Sequence, residues 1–429
     1  MYDADGEYRY HWARWQLSNQ KKYQKTGLKM TQQFITGNHW LEPVMPSPGF
    51  PPSLLQMAET LPFKAGVLTG LLPAGTAMRI GFLMRVTSSY YSNLIEGQFT
   101  EPATLAQRAP RRTPKELREL ATTHIHVQAS IDRALASERG KLLPWGKLFS
   151  PQLVAGVHRR LFAGATEDDL KLSNGRFLVP GQLRSVAEQN VLVGDHAAPA
   201  WQSVEPMMVR LQQAYGAIPD QRTRLLAALA YHHRLAFVHP FEDGNGRVVR
   251  MMTHMHLHRL GLSSPFWSLS RGLARHQDEY YGRLRAADQP RQGDLDGRGQ
   301  LSQKALIQFV EFMLQACIDQ IEYIEKAMNL ANLRARLEKI VAFEQQFIAR
   351  GIKQEMARAL HILLTQGAVT RADFKVYSGL HDRVASDQLK KLVDIGVVEA
   401  PTPKSREIYP GLPVWFAQMI LPDLHRRFF

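Results

Sequence analysis

Residues 239–250 read HPFEDGNGRVVR, and this segment gathers charged and small residues between two runs of different character. Before it, residues 225–238 are mostly apolar, which predicts a buried helix. After it, residues 248–260 show helical spacing and stop at Gly261, a residue type that commonly ends helices. The segment is therefore predicted to be a loop between two helices, and its second half opens the second helix.

The side chains of this loop suit a polyphosphate ligand. Its two glycines permit backbone conformations that a side chain would forbid, so that amides at the helix start can surround an anion. Arg247 and Arg250 are three residues apart on one helix face and can reach further along the same phosphate chain. Asp243 offers a hard oxygen to Mg²⁺, and His239 stands at the loop mouth as a proton acceptor. These groups predict phosphoryl or nucleotidyl transfer from a nucleoside triphosphate.

The segment resembles the signature of the Fic family, His-Pro-Phe-x-Asp/Glu-Gly-Asn-Gly-Arg-x-x-Arg, at every specified position. The resemblance extends over residues 85–325 and implies an all-helical fold with one short hairpin. It also implies transfer of AMP from ATP to a hydroxyl of a target protein. The roles that it implies are a general base at His239, a Mg²⁺ ligand at Asp243, an anion hole at Gly244, Asn245 and Gly246, and ligands of the outer phosphates at Arg247 and Arg250. An inactive shell that only binds its ligand is the alternative.

A second motif, SNLIEG at residues 92–97, resembles the inhibitory motif Ser/Thr-x-x-x-Glu-Gly/Asn of the same family. The resemblance implies that a helix over residues 85–98 packs beside the nucleotide site, and that its Glu96 pairs with Arg250. A carboxylate that captures this arginine removes a γ-phosphate contact, so that ATP binds with its α-phosphate misaligned for in-line attack. Ser92 begins the motif. A surface glutamate at a helix end is the alternative.

β-branched residues between Gly181 and Gly194 predict a short hairpin. The segment is similar to the flap of the family, whose exposed edge pairs with an extended segment of the target. Such pairing uses backbone hydrogen bonds and demands no particular target sequence. The residues that would meet the target are Val191, Leu192 and Val193. Residues 187–189 are an insertion against the family pattern, and an ordinary structural hairpin is the alternative.

Several other side chains have both a functional and a structural interpretation. Tyr280 and Tyr281 match a tyrosine pair that borders the adenosine in the family, although two tyrosines on a helix are core residues at least as often. Some relatives have Asn where this chain has Asp288, to which no role is assigned. The three histidines within residues 254–258 lack a nearby cysteine or acidic third ligand, so packing is favoured over zinc binding.

Composition sets the outer limits of the prediction. A chain of 429 residues suffices for two or three domains. The net charge of +14 suits nucleic acid, an acidic protein partner or simply a solvated basic surface. Cys317 is the only cysteine, which excludes an intramolecular disulfide and favours a cytoplasmic location. No stretch approaches a membrane span or has the order of a signal peptide, so no membrane partner is expected.

The predicted organisation has four parts. Residues 1–75 form an N-terminal extension, in which the prolines of residues 41–75 predict an irregular arm or short helices. Residues 76–330 form the catalytic domain, residues 331–350 a helical linker, and residues 351–429 a winged-helix-like domain. Residues 1–29 are expected to be either a disordered native segment or an upstream extension of a chain that begins at Met30.

The C-terminal part is predicted to contain helices over residues 355–364, 371–377 and 381–395, then strands over residues 396–400 and 407–409. This order resembles the winged-helix modules that are appended to many Fic proteins. The basic residues that can meet a DNA backbone are Arg383, Lys390, Lys391, Lys404 and Arg406. Acidic residues interrupt the third helix, and such modules also mediate protein contacts, so DNA binding and homodimer formation both stay open.

Together these features predict a mainly α-helical protein with a hairpin flap and a winged helix, which uses ATP and Mg²⁺ to AMPylate a Ser, Thr or Tyr hydroxyl. Two rivals use the same scaffold. One removes AMP, with Glu96 orienting a water molecule; the other transfers a different phosphate-containing group. A third rival is a DNA-binding regulator whose catalytic half senses ATP.

Overall fold

The computed structural model describes residues 34–105, 115–193, 196–262 and 264–426. The predictions about residues 1–29 and about Gly194 lie outside these ranges. Contacts join Thr36–Phe429 into one compact unit. Within the described ranges, no helix combines the length and the apolar character that crossing a membrane requires.

The fold is mainly helical, as predicted. Helices of seven or more residues in the first part of the chain are α1 (Pro52–Leu71), α2 (Ala74–Ile95), α3 (Lys115–Ala136) and α4 (Pro151–Leu161). The hairpin strands β1 (Leu192–Val193) and β2 (His196–Ala197) are followed by α5 (Trp201–Gly216), α6 (Gln221–Val238), α7 (Asn245–Arg259), α8 (Leu269–Arg275), α9 (Gln277–Ala287), α10 (Gln303–Met328) and α11 (Leu330–Phe343). The last part contains α12 (Met356–Gln366), β3 (Val369–Thr370), α13 (Arg371–Ser378), α14 (Asp382–Asp394), β4 (Val398–Glu399), β5 (Glu407–Pro410) and α15 (Val414–Ile420). Shorter helical turns are Asn38–Leu41, Pro102–Leu105, Glu138–Lys141, Trp145–Phe149, Glu167–Leu170, Ala187–Gln189, Ser264–Phe266 and Gln345–Ile348.

Helix α6 forms the centre of the fold. Its start is capped by Asp220, whose carboxylate accepts a hydrogen bond from the Thr223 amide. Almost every side chain of the helix is buried, and it packs against α1, α5, α7 and α10. The predicted buried helix before the signature loop is therefore confirmed. The helix after the loop is also confirmed: it ends at Arg259, close before Gly261 with its φ of 74°.

Helix α1 corrects the prediction of an irregular arm or short helices for residues 41–75. Pro52 occupies the first turn of the helix, where its missing amide hydrogen costs nothing. The buried positions recur with the spacing of one helix face, at Leu54, Ala58, Leu61, Ala65 and Leu68. That face packs against α6 and α10, and this burial holds the helix together despite Pro62 in its interior. Most of the prolines lie outside the helix or at its start, which the proline count alone did not distinguish.

The C-terminal elements agree with the predicted order of helix, helix, helix and two strands. The prediction missed the short strand β3, which completes an antiparallel sheet in the order β3–β5–β4. This part of the chain lies against α2, where the Thr76 hydroxyl donates to the Leu364 carbonyl over 2.6 Å. The Tyr91 hydroxyl likewise donates to the Arg426 carbonyl over 2.9 Å. The assignment as a winged helix and the four domain boundaries stay predictions.

The hairpin is present, but it lies further along the chain than predicted. The sequence placed it between Gly181 and Gly194, whereas in the structure β1 pairs antiparallel with β2, which follows Gly194. Residues before β1 form a short helical turn at Ala187–Gln189 instead of a strand. The buried Gln189 side chain accepts hydrogen bonds from the amides of Ser185 and Val186, which closes this turn. Because the amides of Ser185 and Val186 are used in these bonds, they do not pair with a neighbouring strand.

Candidate active site

The loop between α6 and α7 is closed by its own side chains. Helix α6 ends at Val238, and His239 adopts a left-handed conformation with φ of 48° and ψ of 62°. The Asn245 side chain accepts from the Phe241 amide over 3.0 Å and donates to the Phe241 carbonyl over 2.8 Å. These two bonds hold the carboxamide of Asn245 against Phe241, while the backbone amide of Asn245 lies in the first turn of the next helix. The predicted anion hole therefore consists of backbone groups.

The start of α7 is open toward this loop. Gly244 precedes the helix with φ of 77°, and among the described residues no side chain caps it. The amides of Asn245, Gly246 and Arg247 consequently have no acceptor within the helix. They stand at the positive end of the helix dipole, where an anion is stabilised.

Arg247 also offers an unused hydrogen-bond donor. Its guanidinium lies 4.6 Å from the centre of the Phe162 ring and 3.8 Å from the Asp243 carboxylate. The side chain is buried, yet within the described part of the chain its Nε has no hydrogen-bond partner. Buried donors in native structures are usually satisfied, so this donor beside an open helix start is suited to an anionic ligand.

Arg250 is engaged by helix α2. Its Nε donates to the Ser92 hydroxyl over 2.9 Å, and its Nη2 donates to the Ser92 carbonyl over 2.9 Å. The same Nη2 donates to Glu96 Oε1 over 2.6 Å, in an ion pair whose arginine is buried. The contact between Glu96 and Arg250 that the resemblance implied is thus present in the structure.

The position of Glu96 follows from how α2 ends. Gly97 has φ of 75°, its amide donates to the Leu94 carbonyl, and the next amide, that of Gln98, donates to the Asn93 carbonyl. This pair of bonds is a Schellman motif, which requires the left-handed conformation that glycine adopts without strain. The Glu96 carboxylate then lies so close to Gly246 that a Cβ atom there would overlap Oε1. A negative group therefore lies against the open first turn of α7.

His239 lies close to Arg184 and His196. Arg184 is buried, and its Nε donates to the His239 carbonyl over 2.8 Å. The ring of His196 lies 6.5 Å from the ring of His239, centre to centre. Burial and the charges of His196 and Arg184 lower the pKa of His239 to about 3. The imidazole is consequently neutral at neutral pH, as a proton acceptor must be.

Asp243 is the candidate ligand for Mg²⁺. Its carboxylate is 53% exposed at the lip of the loop, and Oδ1 accepts from the Gly244 amide over 2.6 Å. Within the described ranges, no group of three or more His, Cys, Asp or Glu side chains is placed to hold a metal ion. One carboxylate beside an anion site nevertheless fits Mg²⁺, which is commonly bound through one or two carboxylates together with substrate phosphates and water.

Tyr280 and Tyr281 differ in burial and in their hydrogen-bond partners. Tyr280 is buried, and its hydroxyl lies 2.8 Å from His232 Nε2, as expected for a core residue. Tyr281 is 37% exposed and donates to the Ile95 carbonyl over 2.9 Å, next to Glu96. Its face is therefore available at the site, whereas Tyr280 mainly supports it.

The histidines of α7 pack as the sequence favoured. His254 lies 2.7 Å from the Asp132 carboxylate, and the buried His256 stacks on Phe149 with 4.4 Å between ring centres. Cys317 is buried and unpaired, and burial raises the pKa of its thiol. It fills the core, as predicted.

Sequence reasoning missed the side chains that join the flap segment to the signature loop. The His158 ring accepts from the Gly181 amide over 2.8 Å and donates to the Asp243 carbonyl over 3.1 Å. Arg184 donates to the carbonyls of Val238 and His239, and Gln189 donates to Glu242. The pair of His158 and Gly181 is separated by 23 residues and each of the others by more than fifty, so no local pattern predicts them.

Residues 148–257, which contain the hairpin and the signature loop, match the model of the Fic/DOC family. The chain contains a Fic domain. A curated relative, the protein adenylyltransferase Fic of Nematostella vectensis, is 26% identical over 194 residues. That match covers 45% of this chain and 41% of the relative, so the chain spans less than half of the relative's length.

Solved structures of Fic proteins are also similar to this chain. A Fic family protein from Desulfovibrio desulfuricans matches with a TM-score of 0.47 and 16% identity, over 83% of this chain and 95% of that one. A Fic-domain-containing signaling protein from Bacteroides thetaiotaomicron matches with a TM-score of 0.49 and 19% identity, over 63% of this chain and 96% of that one. Glu96 lies outside the residues that match the family model, because that match begins at residue 148.

Proposed function

We propose that this protein is a Mg²⁺-dependent protein adenylyltransferase, which transfers AMP from ATP to a Ser, Thr or Tyr hydroxyl of a target protein. The observation that carries the proposal is the open start of α7 beside the buried Nε of Arg247, which has no hydrogen-bond partner in the described part of the chain. The three amides of the first helical turn, two arginines and a carboxylate suit the triphosphate of a nucleotide and its Mg²⁺. The neutral His239 at the same loop supplies the base that activation of a hydroxyl needs.

In the proposed reaction, the target hydroxyl attacks the α-phosphate while a ring nitrogen of His239 accepts its proton. The new bond joins the hydroxyl oxygen to the α-phosphorus, and the bond from that phosphorus to the bridging oxygen breaks, so that pyrophosphate leaves. The α7 amides stabilise the negative charge that develops during transfer. When bound, Mg²⁺ at Asp243 supplies further neutralisation of the phosphate oxygens. Negative phosphates also favour a protonated His239, because they act against the cations that lower its pKa.

Glu96 restrains this reaction in our proposal. Its carboxylate occupies the space against Gly246 and uses a guanidinium nitrogen of Arg250 that a γ-phosphate would otherwise contact. A triphosphate that avoids this carboxylate binds in a shifted pose. The α-phosphorus then no longer lies in line with the attacking oxygen, which slows transfer without preventing nucleotide binding.

The hairpin is the proposed docking edge for the target. The side chains of Leu192 and Val193 are 52% and 48% exposed, and β1 pairs only with β2 in the described sheet. A two-stranded sheet leaves backbone groups free on its outer edges, where an extended segment can add as a further strand. Because His158 and Arg184 join the preceding segment to the signature loop, a peptide on that edge would be held near His239.

The test is incubation of the full chain with a lysate, Mg²⁺ and ATP labelled either on the α-phosphate or on the γ-phosphate. AMP transfer places only the α-label on protein and adds AMP in the mass spectrum. Transfer of the γ-label would instead establish a kinase-type reaction. Loss of AMP from a target modified beforehand, without any forward transfer, would establish the reverse reaction.

DNA binding by the C-terminal module is the weaker candidate. Arg383 and Lys404 are exposed, but Asp387 pairs with Lys391 over 2.8 Å and Asp382 pairs with Lys375 over 2.6 Å. These carboxylates reduce the positive charge that a DNA backbone would meet. A gel shift that depends on DNA sequence and on ATP would favour the regulator instead. Retention that is only salt-sensitive would reflect the basic surface.

A further inference from the structure

A histidine of the flap is bonded through both ring nitrogens to oxygen atoms. His196 lies in β2; its Nε2 is 3.0 Å from the Phe237 carbonyl, and its Nδ1 is 3.3 Å from Asp288 Oδ2. A carbonyl and a carboxylate only accept hydrogen bonds, so both ring nitrogens have to donate. A neutral imidazole has one N–H group, whereas an imidazolium has two. The geometry therefore favours the doubly protonated, cationic form of His196.

Asp288 is held ready for this cation by a second histidine. His233 Nε2 lies 3.1 Å from Asp288 Oδ1, while Arg234 donates to His233 Nδ1 over 2.9 Å. With Nδ1 accepting, His233 donates through Nε2 as a neutral ring, and the Leu284 carbonyl, also 3.1 Å away, shares this donor with Asp288. Burial raises the pKa of Asp288, but its bonds to His196 and His233 outweigh burial and hold it well below its ordinary value. The carboxylate is thus charged and has one oxygen for each ring.

The second acceptor of His196 belongs to the end of α6. Phe237 lies in the last turn of that helix, whose carbonyls have no partner within the helix and whose dipole favours a cation. Arg184 meets the same helix end through the Val238 carbonyl. Arg184 and His196 therefore both contact the end of α6, immediately before His239.

We propose that His196, as an imidazolium held between Asp288 and the Phe237 carbonyl, is a positioning residue that fixes the flap to the end of α6 and opposes protonation of His239. The proposal rests on the proposed function, in which His239 is the base and the hairpin is the docking edge. The charged or titratable groups that face these two rings are Asp288, His233 and Arg184, with Arg234 behind His233. Fixing the flap holds the target hydroxyl at one distance from the base, which transfer requires.

The pH dependence has a definite sign. Burial lowers the pKa of His196, but the hydrogen bond and charge of Asp288 and the Phe237 carbonyl raise it above its ordinary value. The stabilisation that His196 contributes is therefore complete below the pKa of an unfolded histidine, ~6.5. It is lost as the pH rises through the higher pKa of the folded protein.

The first test observes His196 directly and does not depend on activity. Histidine ring signals of the full chain are followed by NMR from pH 5 to 9, and His196→Gln identifies the signal of interest. We expect His196 to be protonated at neutral pH and Asp288→Asn to lower its pKa. A neutral His196 at pH 7 would overturn the proposal.

The second test measures AMP transfer against pH for wild type, His196→Gln and the exposed His126→Gln as a matched control. Loss of a positive charge at this distance should move the acidic limb of kcat/KM upward by about 0.5–2 pH units, since the pKa of His239 rises. The His126→Gln profile should coincide with that of wild type. A decrease of equal size at every pH would mean that His196 only stabilises the structure, and the positioning role would be wrong. Absence of any transfer by wild type, with His196 still cationic by NMR, would instead count against the proposed function alone.

Discussion

His239 belongs to the signature loop and also contacts Arg184 of the flap segment, yet different kinds of bonds hold these two segments in place. The loop is closed over four residues by the Asn245 side chain and Phe241, and its anion site consists of consecutive amides. The flap segment is held by bonds to other parts of the chain. Its Gly181 amide donates to His158, and its Arg184 and His196 bond to the carbonyls of His239 and Phe237. The phosphate site is therefore shaped mainly by bonds within the loop, whereas the flap depends on the helices around it. This contrast predicts that loop substitutions change the chemical step and that substitutions at the flap edge change target binding.

The largest effect is expected for His239→Ala. Removal of the base should lower kcat for AMP transfer by about 10²–10⁴-fold, because the hydroxyl then lacks a proton acceptor. Nucleotide binding should stay, since the amides and arginines of α7 are unchanged. Transfer of α-labelled AMP and equilibrium binding of ATP measure the two quantities, with the exposed His126→Ala as control. An unchanged kcat would remove His239 from its proposed role.

Glu96→Gly should act in the opposite direction. Without the carboxylate against Gly246, Arg250 and the first turn of α7 can receive the γ-phosphate, so that the α-phosphate lies in line. Transfer should rise by about 10²-fold, with a much smaller change in ATP affinity. Initial rates for wild type and variant on one target give the ratio, and the double variant with His239→Ala should be inactive. A rate that matches Glu355→Gly, which removes another carboxylate at a helix end, would mean that Glu96 does not restrain the enzyme.

The flap side of the comparison is tested by Leu192→Asp combined with Val193→Asp. Charged, poorly strand-forming residues on the docking edge should raise the KM for the protein target by about tenfold, with kcat and ATP binding nearly unchanged. The matched control is Leu142→Asp with Val376→Asp, because both of those side chains are also exposed and apolar. If kcat falls instead while KM stays, the hairpin supports the catalytic loop and does not dock the target.

The smallest effect is expected for Ser92→Ala. This change removes the hydroxyl that accepts from Arg250 Nε but keeps the Ser92 carbonyl and Glu96 in place. A single hydrogen bond of this kind is worth about 1 kcal/mol, so transfer should rise by about two- to tenfold. Ser88→Ala, one turn earlier on α2 and bonded to Ser268, should not raise it. An activity equal to that of Glu96→Gly would assign the restraint to the serine.

Much of the architecture around the loop was predictable. The buried run before it and the helical run after it became α6 and α7, because each pattern is read over a few turns of one helix. The three C-terminal helices followed from caps and spacing in the same way. The prolines misled the interpretation of α1, since their number was weighed and their position at the helix start was not.

The features of the site also divide into those that the local sequence predicted and those that tertiary structure decided. Residue types and spacing within twelve residues determined that a helix would open with glycines, two arginines and a carboxylate, because these features need only local backbone geometry. The Glu96–Arg250 contact was expected only from the family resemblance, and the tertiary structure supplies it through the Schellman end of α2 and the packing of α2 on α7. The contacts of the His196 ring with the Phe237 carbonyl and with Asp288 were decided by tertiary structure alone. These partners of His196 are 41 and more residues away along the chain, and no local pattern encodes which distant carbonyl or carboxylate a folded histidine will meet.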